Sequence, residues 1–184
     1  MLRISTLFIL AVFSFSCCLK KDKIFWFPDE AVQYYDNHDT IVFMDNISGE
    51  FDSLIVCSRE TLQSIEDWGG SYCDYKEIFY ERKYLLSKDS CQQDKFTFIV
   101  HVLAKGSISV FVNLPDGSSG FYNMAAPYDE TPKVEIDIQG KTYTDVVRVT
   151  NSQIPGSWIL INYLYGILQY TRNDTIIKSL YYEN

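Results

Sequence analysis

Apolar and polar residues alternate with a period of two along much of the chain. In the C-terminal third, Val134, Ile136 and Ile138 alternate with Glu135, Asp137 and Gln139. After a turn at Gly140-Lys141 the chain runs back through 143–149, with Val147 and Val149 on one face. A period of two is the mark of a half-buried strand. Residues 158–165 and 167–171 read as one apolar run broken at Gly166, which predicts a bulge. Asn173-Asp174 makes a turn, and 175–182 is a final strand.

The same pattern continues upstream. Phe25-Trp26-Phe27-Pro28 opens the folded body, and 32–35 is a short strand candidate. Residues 40–44 and 51–57 flank Asp45-Asn46-Ile47-Ser48-Gly49 and read as a hairpin. Residues 61–68 are the one modest helix candidate, with Gly69-Gly70 to end it. Residues 75–86 mix tyrosines and charges, and their aromatic density favours a strand. Residues 96–103 and 107–112 flank Ala104-Lys105-Gly106, a second hairpin signal. Pro115-Asp116-Gly117 is a turn, 121–124 a short strand, and 125–132 a loop.

About ten or more strands with little helix predict an all-β protein. Nearly every connection reads as a hairpin. An antiparallel meander forming one strongly curved sheet or open barrel is therefore expected, with a two-sheet sandwich as the alternative. No internal repeat is present, which argues against a propeller.

The first eighteen residues, MLRISTLFILAVFSFSCC, follow a different pattern. Arg3 gives a positive start, an apolar core follows, and Ser16 precedes Cys17. That is the layout of a secretory signal, and the core is too short for a membrane-spanning helix. A buried or anchoring helix that is never cleaved is the alternative. Ser14-Phe15-Ser16-Cys17 looks like a bacterial lipobox, in which a cysteine receives diacylglycerol after the cut. Ser16 fits that pattern, whereas Ser14 stands where leucine is usual. Cys17 is the expected lipidation site and Cys18 the alternative. The expected organisation is a signal peptide over 1–16, a lipidated cysteine and short basic tether over 17–24, and a single β domain over 25–184.

Charge and cysteine content narrow the picture. The 184 residues carry 16 Lys+Arg and 24 Asp+Glu, a net charge of −8. Nucleic-acid binding needs clustered basic residues, so no nucleic-acid partner is expected. Five cysteines are present. The cell envelope permits disulfides. Cys73 and Cys91 sit in polar, turn-like segments and are the expected pair. Cys57, inside Leu54-Ile55-Val56-Cys57, reads as a small buried hydrophobe. No C-x-x-C spacing supports a zinc or thioredoxin-like site.

Several stretches resemble a group of small uncharacterised lipoproteins of Bacteroidota. They are Cys17, Phe27-Pro28, Tyr34-Tyr35, Gly140-Lys141-Thr142-Tyr143, and Tyr163-Leu164-Tyr165-Gly166-Ile167-Leu168-Gln169-Tyr170. The resemblance covers the two ends of the chain. It implies an envelope lipoprotein with a β fold and supplies no catalytic residues.

Candidate chemistry is sparse. Asp36, His38 and Asp39 are close in sequence but fall where a turn is expected, and His101 reads as a strand residue with a partner. Glu135 and Asp137 share a strand face, as acid–base work on a glycoside would need, but the solvated face of an amphipathic strand explains them too. Asn46-Ile47-Ser48 and Asn173-Asp174-Thr175 match a glycosylation pattern and read as turns. The chain has 14 Tyr, 12 Phe and 3 Trp, which can stack on sugars, line an apolar pocket, or simply populate a sheet. No catalytic, cofactor or metal residue is expected. The expected protein is a non-enzymatic lipoprotein of the bacterial envelope, lipid-anchored at the outer membrane, that binds or scaffolds a protein, glycan or lipid partner. A carrier of a hydrophobic ligand is the alternative, and a glycan hydrolase a distant third.

Overall fold

The computed structural model describes residues 21–68, 75–88, 90–91, 97–113, 119–124, 126–151 and 153–181. Cys17, Cys18, Cys73 and the expected turns at Gly69-Gly70 and Pro115-Asp116-Gly117 lie outside the described residues.

Among the described residues, twelve strands form one sheet. They are β1 (Lys23–Phe25), β2 (Thr40–Asp45), β3 (Phe51–Trp68), β4 (Tyr75–Lys88), β5 (Thr97–Val102), β6 (Ile108–Asn113), β7 (Ser119–Asn123), β8 (Val134–Ile138), β9 (Lys141–Thr150), β10 (Trp158–Asn162), β11 (Gly166–Arg172) and β12 (Thr175–Leu180). The order is β7-β6-β5-β4-β3-β2-β12-β11-β10-β9-β8, with β1 added beside β4. Every ladder is antiparallel except β1 with β4. The chain thus makes two meanders, β2–β7 and β8–β12, joined where β12 pairs with β2.

The sheet curls back on itself. β7 and β11 stand seven positions apart in strand order, which in a flat sheet is about 34 Å. Yet the rings of Tyr122 on β7 and Tyr170 on β11 meet edge to face at 6.2 Å. Phe98 on β5 meets the same tyrosine at 6.0 Å. No ladder joins β7 to β8 among the described residues, so the curl stays open. Its hollow is filled by side chains from both meanders, including Phe43, Leu54, Leu86, Phe98, Val110, Ile159 and Ile167, all without measurable exposure. The expected curved meander is what forms, and the sandwich alternative does not.

The tight turns follow from local chemistry. Gln139 and Gly140 have φ of 52° and 80°, and Asn173 and Asp174 have 50° and 59°. Two successive left-handed residues make the turn whose twist suits a hairpin.

Three local expectations are corrected. Residues 61–68 are strand, not helix, because β3 runs on through Trp68 against β4, with pairs from Arg59↔Tyr84 to Trp68↔Tyr75. Residues 32–35 are not a strand. Val32 takes a left-handed φ of 53° and leads into a short helix, α1 (Gln33–Asn37), that crosses the mouth of the curl. Gly166 does not mark a bulge within one run. Instead β10 ends at Asn162, the chain turns, and β11 begins at Gly166.

The disulfide expectation is also corrected. Cys91 bonds to Cys57, not to Cys73, with the two Cα atoms 5.4 Å apart. The β3–β4 register shifts between Val56 and Ser58, so Cys57 has no cross-strand partner. The apolar run around Cys57 hid this bulge, which releases its side chain from the core pattern and leaves it half-buried.

Opposite ends of the curl are closed differently. At one end Lys178, 4% exposed, pairs with Asp45 at 2.9 Å and with Asp52, while Lys88 also pairs with Asp52. At the other end α1 acts as a stopper. The fully buried Tyr35 ring packs edge to face on Tyr84 at 5.5 Å. Its hydroxyl accepts the Ile167 N–H at 2.7 Å. Arg59 donates to the carbonyls of Tyr35 and His38 at 2.9 and 2.8 Å. Asp36 accepts from Arg82 and, at 3.1 Å, from the Tyr84 hydroxyl. Gly166 lies against Tyr35 so closely that an added Cβ would collide with the ring.

Candidate binding cleft

Beside the stopper an open cleft of about 620 Å³ lies between α1, the start of β9 and the β10–β11 turn. Local polar chemistry builds it. The Asn162 side chain caps its own turn, with Oδ1 accepting from the N–H groups of Leu164 and Tyr165 at 2.9 and 3.1 Å. Its Nδ2 donates to the Thr144 carbonyl at 2.8 Å, which ties the turn to β9. The turn's carbonyls accept in return: that of Tyr163 from Val32, and that of Leu164 from Tyr34 at 3.1 Å.

Four tyrosines line the cleft. Tyr128 and Tyr163 pack at 4.6 Å, and Tyr143 meets Tyr165 edge to face at 5.3 Å. The Tyr128 hydroxyl donates to the Asp145 carbonyl and accepts the Tyr163 N–H at 3.1 Å, fixing the loop before β8 to the turn. Lys141 lies over the Tyr165 ring at 4.4 Å and over Tyr143 at 5.1 Å, and Lys133 over Tyr128 at 4.8 Å. Glu30, Gln33 and Asp145 complete the polar lining.

Burial raises the Tyr163 phenol above its ordinary value, and Asp129 and Glu30 push it further the same way. Burial also raises Tyr128. Both stay neutral at physiological pH. They offer a donor, an acceptor and an aromatic face rather than a nucleophile. Ammonium groups, amides, carboxylates and phenols around an open hollow suit a polar ligand with some flat apolar surface.

The residues singled out in sequence for chemistry are dispersed. Asp36 serves Arg82, and Asp39 serves Arg59 at 3.0 Å. His38 stacks on Tyr34 at 4.1 Å, and its Nδ1 lies 2.8 Å from the Tyr34 carbonyl. No cluster of metal-ligating residues occurs among the described residues. His101 lies 2.8 Å from Glu81. Glu135 and Asp137 are exposed on β8, and Asp137 accepts from Thr142 at 2.5 Å. Asn46 and Asn173 occupy turns. Sequence reasoning did not single out Lys133 or Asn162, and it placed Lys141 only in a turn and in one of the resembling stretches. Their nearest signal is the cluster of aromatic stretches at the two ends of the chain. In the structure Pro28, Tyr34, Tyr35, Tyr143 and 163–166 converge on this one rim.

No helix among the described residues is long and apolar enough to cross a membrane. No protein-family model, curated protein or solved structure matches this chain.

Proposed function

We propose that this chain is a non-enzymatic lipoprotein of the bacterial cell envelope, of the kind found in Bacteroidota. Acyl chains on Cys17, with Cys18 the alternative, hold it at the outer membrane while its β domain binds a partner. The anchor rests on the leader: a positive start, an apolar core and a small residue before a cysteine. Two or more acyl chains hold a protein stably at a bilayer, which a single chain does not.

The observation that carries the binding half is the contrast between a filled interior and an open tyrosine-lined cleft. A carrier of lipid needs a hollow, and here the space inside the curl is occupied by side chains such as Phe43, Phe98 and Ile167. The cleft's lysines, amides and carboxylates favour a polar partner, a glycan or a protein segment. The net charge of −8 disfavours nucleic acid.

Cys17→Ala tests the anchor. Metabolic labelling with a clickable fatty acid is expected to be lost, and the protein to leave the membrane fraction. If Cys18→Ala does this and Cys17→Ala does not, the lipidated residue is Cys18. If neither does, the lipoprotein reading fails. Lys141→Ala with Tyr165→Ala tests the cleft. Co-purifying glycan or protein is expected to be lost while the thermal transition is kept.

A further inference from the structure

Strands usually stop where the core stops, but β3 and β4 do not. Arg82, opposite Thr61 and paired with Asp36 of α1, is the last β4 residue that meets the stopper. Beyond it the hairpin continues to Trp68 and Tyr75, and residues 59–67 of β3 are exposed throughout. Directly paired residues share a face of a sheet. On the face that continues the core side, Ile65 is opposite Ile78, and β1 sets Ile24 beside Ile78. In the adjoining row Trp26 stacks on Tyr80, with centroids 4.0 Å apart and planes at 5°. Ile65, Ile24 and Trp26 are 52%, 55% and 59% exposed. The other face combines the Phe25–Phe79 stack, at 4.9 Å, with charged residues. Lys23 pairs with Glu77 at 3.0 Å, and Lys105 covers Phe25 at 4.5 Å. The hairpin is a shelf whose core-side face carries an exposed apolar patch, bordered at the tip by the Lys76–Asp67 pair at 3.9 Å.

The route of the preceding chain says what that side meets. β1 is parallel to β4, and β4 starts at the hairpin tip, so Lys23 opposite Glu77 is the end of β1 nearest the tip. Cys17 stands six residues earlier. Even fully extended, that stretch spans about 20 Å. An acyl chain on Cys17 therefore enters a bilayer next to the shelf. A tryptophan among half-exposed isoleucines suits the interfacial zone of that bilayer.

We propose that the apolar side of the shelf, formed by Ile24, Trp26, Ile65, Ile78 and Tyr80, lies against the lipid surface that holds the anchor. This rests on acylation of Cys17 as read above. It gives the anchored domain a fixed orientation. The hairpin tip and the rim cleft share the end of the sheet where β4, β9 and β11 begin, so the cleft is held close to the bilayer.

The test uses the full, processed protein in vesicles of phosphatidylethanolamine and phosphatidylglycerol, with and without brominated acyl chains. The Trp26 part of the emission is the difference between the wild type and Trp26→Phe. It is expected to be lost in brominated vesicles. Ile65→Asp is expected to restore it, and Leu62→Asp, on the opposite face, to leave the quenching intact. Unquenched Trp26 in protein that mass spectrometry shows to be acylated and vesicle-bound overturns the shelf and spares the anchor. Protein that is neither acylated nor vesicle-bound overturns both. A dimer in detergent that dissociates in Ile65→Asp assigns the shelf to a second copy and overturns the lipid contact.

Discussion

Two structures stand side by side at the same end of the sheet. At the rim, the β10–β11 turn is closed over by α1, with Tyr35 fully buried against Gly166. A few strands away, the β3–β4 hairpin leaves Ile65, Ile24 and Trp26 more than half exposed. Both segments are aromatic and apolar by sequence. They differ in what lies across from them. The curl brings α1, β4 and β11 together around Tyr35, whereas the hairpin has outrun every strand that could face it. Apolar character alone does not make a core; an opposing surface does.

The largest effect is expected at the sealed rim. Gly166 has a φ of 76°, and a Cβ there would strike the Tyr35 ring. Gly166→Ala should cost about 3–4 kcal/mol, from overpacking and left-handed strain together. Urea denaturation reads this directly. A double-mutant cycle with Tyr35→Leu should recover part of the cost, because the two residues share one contact. An unchanged midpoint would mean that Tyr35 does not wedge the rim.

The charged end comes next. Lys178 is 4% exposed and depends on Asp45 and Asp52. Asp52→Asn removes part of its compensation and should cost about 3 kcal/mol. The same cluster gives an acid-dependent term. Burial pushes the Asp45 carboxyl up, but the N–H groups of Ser48 and Ile47 and the Lys178 ammonium outweigh it and hold it down to about 2. Asp52 is likewise held below its ordinary value: burial raises it, but Lys178 and Lys88 prevail. A carboxylate whose folded pKa lies below its unfolded one stabilises fully above the unfolded value, here 3.8. Its contribution fades as pH falls through about 2. Melting temperature should therefore drop between those two values, and less steeply in Asp45→Asn.

The disulfide joins β3 to the segment after β4 across 34 residues. Cys57→Ser should cost about 2–4 kcal/mol under oxidising conditions. With a reductant present, the variant and the wild type should melt together. Failure of the reductant to close that gap would mean that Cys57 stabilises by packing.

The smallest effect is expected on the open hairpin. Ile65→Asp should change stability by no more than about 0.5 kcal/mol, since the side chain has left little water behind. A cost as large as that of Gly166→Ala would show that the shelf is covered in solution and would erase the contrast between the two regions.

Much of the architecture was legible in the chain. Alternation located most of the strands, and pairs such as Asn173-Asp174 announced their turns because left-handed residues are few and their side chains distinctive. Residues 61–68 were misread because Thr61, Leu62 and Ile65 also fit a helical spacing. Their pairing with 75–82 is a contact that local pattern does not contain. The cleft was hidden for a related reason. Gln33, Tyr128, Lys141 and Tyr165 belong to four distant parts of the chain and share no spacing.

The sequence by itself determined that this is a strand-built protein whose successive strands pair as hairpins, because side-chain period and turn preference are properties of neighbours. The curl decided the rest: which cysteine bonds Cys91, which tyrosine plugs the mouth, and which isoleucines face water. Those outcomes depend on strands up to seven positions apart being brought within ring contact, and that distance is set only when the whole sheet bends around one shared core.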